Sequence, residues 1–78
     1  MATRAYILIE TIVGRTAEVG AALEAMPAMK RVDIVTGPYD GIAIVEAEDL
    51  PSLGNLISDD MHSIAGIVKT VSCLSVTA

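Results

Sequence analysis

The 78-residue sequence predicts one α+β domain, residues 1–78, in the order strand–helix–strand–strand–helix–strand. Three observations lead there. Four segments rich in β-branched residues read as strands, most of them in period-two alternation. Two intervening segments repeat apolar residues at helical spacing. Gly, Pro, Thr and Asp punctuate the joins between them.

The first strand is "RAYILIETI", residues 4–12, with Ala5, Ile7 and Ile9 on one face and Tyr6, Leu8 and Ile12 on the other. Gly14-Arg15-Thr16 breaks it, and Thr16 is the expected N-cap of a helix with Glu18 in its first turn. Val19, Ala22, Leu23 and Met26 form the apolar stripe of that helix, and Pro27 ends it by disfavouring the α conformation at Met26. The second strand is "RVDIVT", residues 31–36, with Val32 and Ile34 on one face. After the loop Thr36-Gly37-Pro38-Tyr39-Asp40-Gly41, "GIAIVEAE" is the third strand. Asp49 caps the second helix, Pro51 is tolerated in its first turn, and Leu50, Leu53, Ile57, Met61 and Ile64 supply its stripe. The fourth strand, "IVKTVSCLSV", follows Gly66.

In this order each crossover leaves a one-strand gap for another strand to fill. The result is a ferredoxin-like βαββαβ domain, with a four-stranded antiparallel sheet and two helices on one face. The helices cover one side only, yet the first strand is apolar on both. Burying the second side by packing two sheets face to face calls for a homodimer, with Ile7, Ile9 and fourth-strand residues expected near the interface.

Composition points the same way. A core of this size rarely supplies more than about 3–5 kcal/mol without disulfides, metal or oligomerisation. One cysteine allows no intrachain disulfide and suits a reducing, cytoplasmic compartment. One histidine and one cysteine provide poorly for metal. Apolar residues make up 53% of the chain and mean hydropathy is +0.59, which favours oligomerisation. Charges interrupt every apolar run before the roughly 20 residues that span a bilayer, so no membrane role is expected. A net charge of −5 without a basic face argues against direct nucleic-acid binding. The aliphatic, acidic third strand, in a chain without Phe or Trp, lacks the stacking aromatics of an RNA-recognition motif.

Convergent catalytic groups are few. "DDMH" (Asp59, Asp60, His62) reads as a solvated helix end rather than a metal site, and Cys73 as a small buried hydrophobe. Glu46 and Glu48 read as a solvated or salt-bridged strand edge. No cofactor is implied and no enzyme is expected. The stretch "TGPYDG" stands out, because a hairpin can close with two residues. Gly37 and Gly41 permit positive φ, Pro38 fixes a dihedral and Asp40 can bond its own backbone, all of which serve a turn. The same loop offers the N–H groups of Tyr39, Asp40 and Gly41 to a carboxylate and the Asp40 side chain to an ammonium, as a zwitterionic amino acid requires.

"VTGPYDGIAIVEAEDL", then a helix, then "IAGIVKTVSCLSV" resembles the regulation-of-amino-acid-metabolism (RAM) domain. This is the effector-binding half of leucine-responsive/asparagine-sensing (Lrp/AsnC) regulators. The resemblance rests on the T-G-x-Y-D loop at Thr36–Asp40, on Asp49 opening the second helix, and on the Gly66-to-Ser72 entry to the last strand. It implies a dimeric α/β barrel formed by sheet-to-sheet pairing, dimers arranged in rings, often octamers, and amino-acid effectors in clefts between dimers. The ligand-binding residues it implies are Thr36, Gly37, Tyr39 and Asp40 of the loop with the hydroxyls of Thr70 and Ser72. The family usually carries an N-terminal helix-turn-helix, whereas this chain starts at the first strand and resembles the stand-alone form. It is then expected to affect transcription through a full-length regulator as partner. Pro38 stands where the family often has an acidic residue. The same topology also leaves open an ACT-type amino-acid sensor binding near Gly14, a small dimeric barrel enzyme of the monooxygenase type using Tyr6, Glu10, Glu46 and His62, and a pure assembly domain.

Overall fold

A computed structural model describes residues 2–77. The elements are β1 (Thr3–Thr11), α1 (Thr16–Glu24), β2 (Met29–Ile34), β3 (Gly41–Ala47), α2 (Leu50–Asn55) and β4 (Ile67–Leu74), with α2 running on as a π-helical turn, Leu56–Met61. The sheet order is β2-β3-β1-β4, and every neighbouring pair is antiparallel. This is the expected ferredoxin-like arrangement.

Period two separates the faces of β1. Ala5, Ile7 and Ile9 are fully buried, and Ala43 and Val45 of β3, Val19 and Leu23 of α1, Leu53 of α2 and Met61 complete their cluster. The helices are therefore on the Ile7–Ile9 side. Small neighbours explain the choice: Ile9 pairs with Gly41 and Ile7 with Ala43, leaving room for a helical layer. On the opposite face Leu8 pairs with Ile42 and Val71, and Tyr6 with Ile44 and Cys73. The expectation that Ile7 and Ile9 face a second sheet is thus corrected; the uncovered face belongs to Tyr6, Leu8, Ile42, Ile44, Val71 and Cys73. Cys73 is exposed on that face rather than buried.

Local details depart from the sequence reading in three places. Thr16 does not cap α1: Arg15 occupies the N-cap without a side-chain bond, and the Thr16 hydroxyl bonds that of Thr11 instead, at 2.8 Å. β2 begins and ends two residues earlier than expected, because pairing with β3 starts at Met29 and stops at Ile34 opposite Gly41. The second helix is only six residues of α-helix before it widens. Residues Leu53, Ile57 and Met61 are spaced by four, and eight residues of α-helix overshoot two turns by about 80°. The wider turn, with the His62 N–H donating to the Ile57 carbonyl at 3.3 Å, takes up that drift. Leu53 and Met61 are both buried, whereas Leu50, before the first full turn, is exposed.

Asp49 does cap α2, accepting from the Ser52 N–H at 2.8 Å, with Pro51 in the first turn. Bonding by Ser52, through its hydroxyl first and its N–H second, holds the Asp49 carboxyl below the usual carboxylate range. Glu46 is salt-bridged rather than merely solvated: Arg4 donates to it at 2.8 Å.

Candidate functional site

The loop after β2 is closed by one residue. The Asp40 N–H donates to the Ile9 carbonyl and its own carbonyl accepts from the Val35 N–H, both at 2.9 Å. Its carboxylate Oδ2 accepts from the Thr11 N–H at 2.8 Å. Thr11 lies two residues beyond Ile9, the last β1 residue paired with β3, and next to the register shift that β1 makes against β4. The carboxylate oxygen thus takes the place of the missing ladder carbonyl. Four residues, Thr36 to Tyr39, stand clear of this clasp. Thr36, Gly37 and Pro38 are exposed and Tyr39 is half-buried. Gly37 has φ +151°, outside the range that side-chain-bearing residues favour, so glycine is needed to shape the tip.

Asp40 therefore answers why the turn is long, and it narrows what the loop can offer. The expected row of three free N–H groups is interrupted, since that of Asp40 is bonded to Ile9.

β1 carries the other wall. Ile9 pairs with Gly41 on one side and with Thr70 on the other, so the end of the loop and Thr70 flank one residue, their backbones about 10 Å apart. Ser72 lies one row further along, opposite Ile7. Both hydroxyl residues share the face of Ile7 and Ile9, at the sheet edge beyond the helices; Thr70 is half-buried and Ser72 exposed. The structure thus brings all six sequence-derived positions to one end and one side strand of the sheet. It does not join them into one cavity within a single chain, because the buried Ile9 fills the space between.

His62, read from the sequence as part of a solvated helix end, has a partner that the sequence did not indicate. Its Nε2 lies 2.9 Å from Thr70 Oγ1. The two border a groove of about 410 Å³ with Ile67, Val68 and Lys69. The available signal was its place directly after Met61, a residue of the stripe that turns into the core. A larger concavity of about 740 Å³, lined by Ala2, Pro27, Ala28, Lys30 and residues 46–49, lies at the opposite end of the sheet. Among the described residues no cluster of three or more His, Cys, Asp or Glu is placed to hold a metal, and no helix is long and apolar enough to cross a membrane.

The Lrp/AsnC ligand binding domain family model matches residues 4–77. Among solved structures, FFRP-DM1 is 32% identical at a TM-score of 0.91, over 95% of this chain and 99% of that one. Hypothetical protein PHS023 from Pyrococcus horikoshii is 32% identical at a TM-score of 0.90, over 100% and 93% respectively. Escherichia coli AsnC shares the fold at a TM-score of 0.91 with 17% identity, and this chain spans 52% of its length. A comparison with curated proteins gives no match. With the family model covering almost the whole sequence, and two solved chains about a third identical matched over 93% or more of their length, this chain belongs to the Lrp/AsnC ligand binding domain family.

Proposed function

We propose that the chain is a non-catalytic effector-binding module, cytoplasmic and homo-oligomeric, that senses amino acids or related small molecules. Two chains pair through the uncovered sheet face into a dimeric α/β barrel, and dimers associate further, in an octamer or another ring. The effector occupies a cleft between dimers, with Thr36, Gly37, Tyr39 and Asp40 on one wall and Thr70 and Ser72 on the other. Its effect on transcription passes through a full-length Lrp/AsnC regulator, since a chain with five more acidic than basic residues has little attraction for a phosphate backbone.

The observation that carries this reading is the row Gly41–Ile9–Thr70. It sets the exposed loop and the hydroxyl strand on either side of a filled centre, a half-site that a second subunit would complete. A transcriptional regulator from Neisseria meningitidis with the same fold, at 17% identity, was solved as a complex with L-Met. That complex supports amino acids as the first ligands to try.

The test is a thermal-shift screen of the twenty amino acids on the purified chain, with light scattering alongside. A ligand at a hundred times its dissociation constant stabilises the fold by about 2.7 kcal/mol, a rise of several degrees or more for so small a chain. One or a few amino acids should give that shift and alter or tighten the assembly. No shift with any of them removes the amino-acid reading and leaves an assembly domain.

A further inference from the structure

We propose that the groove between the end of the second helix and the start of β4 is the subsite for an anionic group, a carboxylate, with His62 setting the polarity of the Thr70 hydroxyl. The inference rests on the reading above for its place in the effector site, and gives each wall its own chemistry.

The loop wall is unsuited to an anion. Asp40 brings a carboxylate to it, and the Asp40 N–H, the middle one of the three expected there, donates to Ile9. The β4 wall has the opposite character. His62, Lys69 and Thr70 line its groove with Ile67 and Val68, and among the described residues no carboxylate does. Lys69 stands opposite Glu10 in the ladder, so its side chain leaves β4 on the face opposite to that of Thr70, and it takes no part in the ion pairs found among the described residues, which are Arg4–Glu46, Arg15–Glu18 and Arg31–Asp33. The other charges nearby are Asp59 and Asp60 in the turn before His62, and Arg15, whose side chain packs against Gly66.

The contact between His62 and Thr70 makes the subsite adjustable. A threonine hydroxyl has one hydrogen to donate, and an imidazole nitrogen either accepts it or, when protonated, donates to the oxygen. With a neutral ring accepting at Nε2, the Thr70 hydrogen is consumed and its oxygen presents only lone pairs. With a charged ring, Nε2–H donates to Thr70 Oγ1, and the hydroxyl hydrogen is released toward the groove. Against the neutral Nδ1–H tautomer the charged state adds a cation and a donor together, and against the Nε2–H tautomer, which already donates to Thr70, it adds the cation; both additions suit a carboxylate. The π-helical turn is what carries His62 to this position, since it rotates the chain after Met61 toward β4.

The test uses the full chain in its native assembly, with sodium acetate and methylammonium chloride as separate one-ended probes, followed by NMR at the His62 ring and the backbone amides. Acetate should shift His62, Lys69 and Thr70 saturably, with affinity about tenfold weaker at pH 8 than at pH 5.5. His62→Gln, at an exposed position that tolerates exchange, should keep the fold and abolish the pH dependence. Thr70→Val should weaken acetate binding at both pH values. Methylammonium should leave these signals in place. Saturable acetate binding elsewhere, none at all, or an unchanged pH profile in His62→Gln overturns the proposal. The amino-acid screen fails or succeeds separately: acetate at His62 with no amino-acid response would keep the anion subsite and discard the zwitterionic effector.

Discussion

Asp40 makes three hydrogen bonds from three different atoms, and this sets its role apart from the exposed loop residues before it. Asp40→Ala leaves the Thr11 N–H without its acceptor in a nearly buried stretch and should cost about 1–3 kcal/mol in a denaturant titration. Asp40→Asn keeps an acceptor oxygen and should lose much less. If the two variants lose equally, the side chain is not the clasp. Their effector responses separate the roles further: a clasp is preserved in Asp40→Asn, whereas an ammonium partner is lost with the charge. Gly66 is a second residue whose chemistry is imposed from outside its own segment. It has φ +102°, and a Cβ there would sit 2.9 Å from Val19 Cγ2 and 3.3 Å from Arg15 Cβ. Gly66→Ala combines strain with overpacking and should destabilise by about 2–4 kcal/mol in the same measurement.

Among the elements, the second helix shows how far local signals reach. Its start was readable, because Asp49, Pro51 and the bonds from Ser52 are all short-range chemistry. A carboxyl held below its ordinary value in the folded chain contributes stability above its unfolded value, and that contribution disappears as pH falls through the folded one. Asp49→Ala should therefore lower the melting temperature by a few degrees at pH 7. The gap to wild type should close as pH drops below about 4. A gap that is constant with pH would mean that the cap acts by shape alone. The end of the helix was not readable. Its stripe spacing fits an α-helix adequately, and only the need to seat both Leu53 and Met61 under one sheet selects the π turn.

At the scale of the molecule, the two faces of the sheet carry different tasks. Ile9→Asp places a charge in the helix-side core, where an unpaired charge costs several kcal/mol, and should prevent folding. Leu8→Asp, one residue away, places it on the uncovered face and should leave a folded monomer. Circular dichroism and light scattering on the pair measure the difference. A Leu8→Asp protein that remains dimeric would move the interface off this face. Because Thr70, Ser72 and His62 lie on the helix side, the proposed pairing through the uncovered face would leave the proposed effector half-site open for a second dimer.

How much was legible follows from the range of each interaction. Strand alternation, helical stripes, the Asp49 cap and the βαββαβ order depend on neighbours a few residues apart, so the sequence alone carried the fold and the family. The T-G-x-Y-D loop and the β4 hydroxyls were also visible as motifs. What alternation leaves degenerate is which face of β1 is inside, since Ile7–Ile9 and Tyr6–Leu8 are both apolar. Pairing with Gly41 and Ala43 broke that tie by making room for helices on one side only. The Asp40–Thr11 bond spans 29 positions, and His62 meets Thr70 across a turn whose width the core dictates. Such contacts exist only once the sheet register has fixed which distant residues share a row, and that register was decided by tertiary packing.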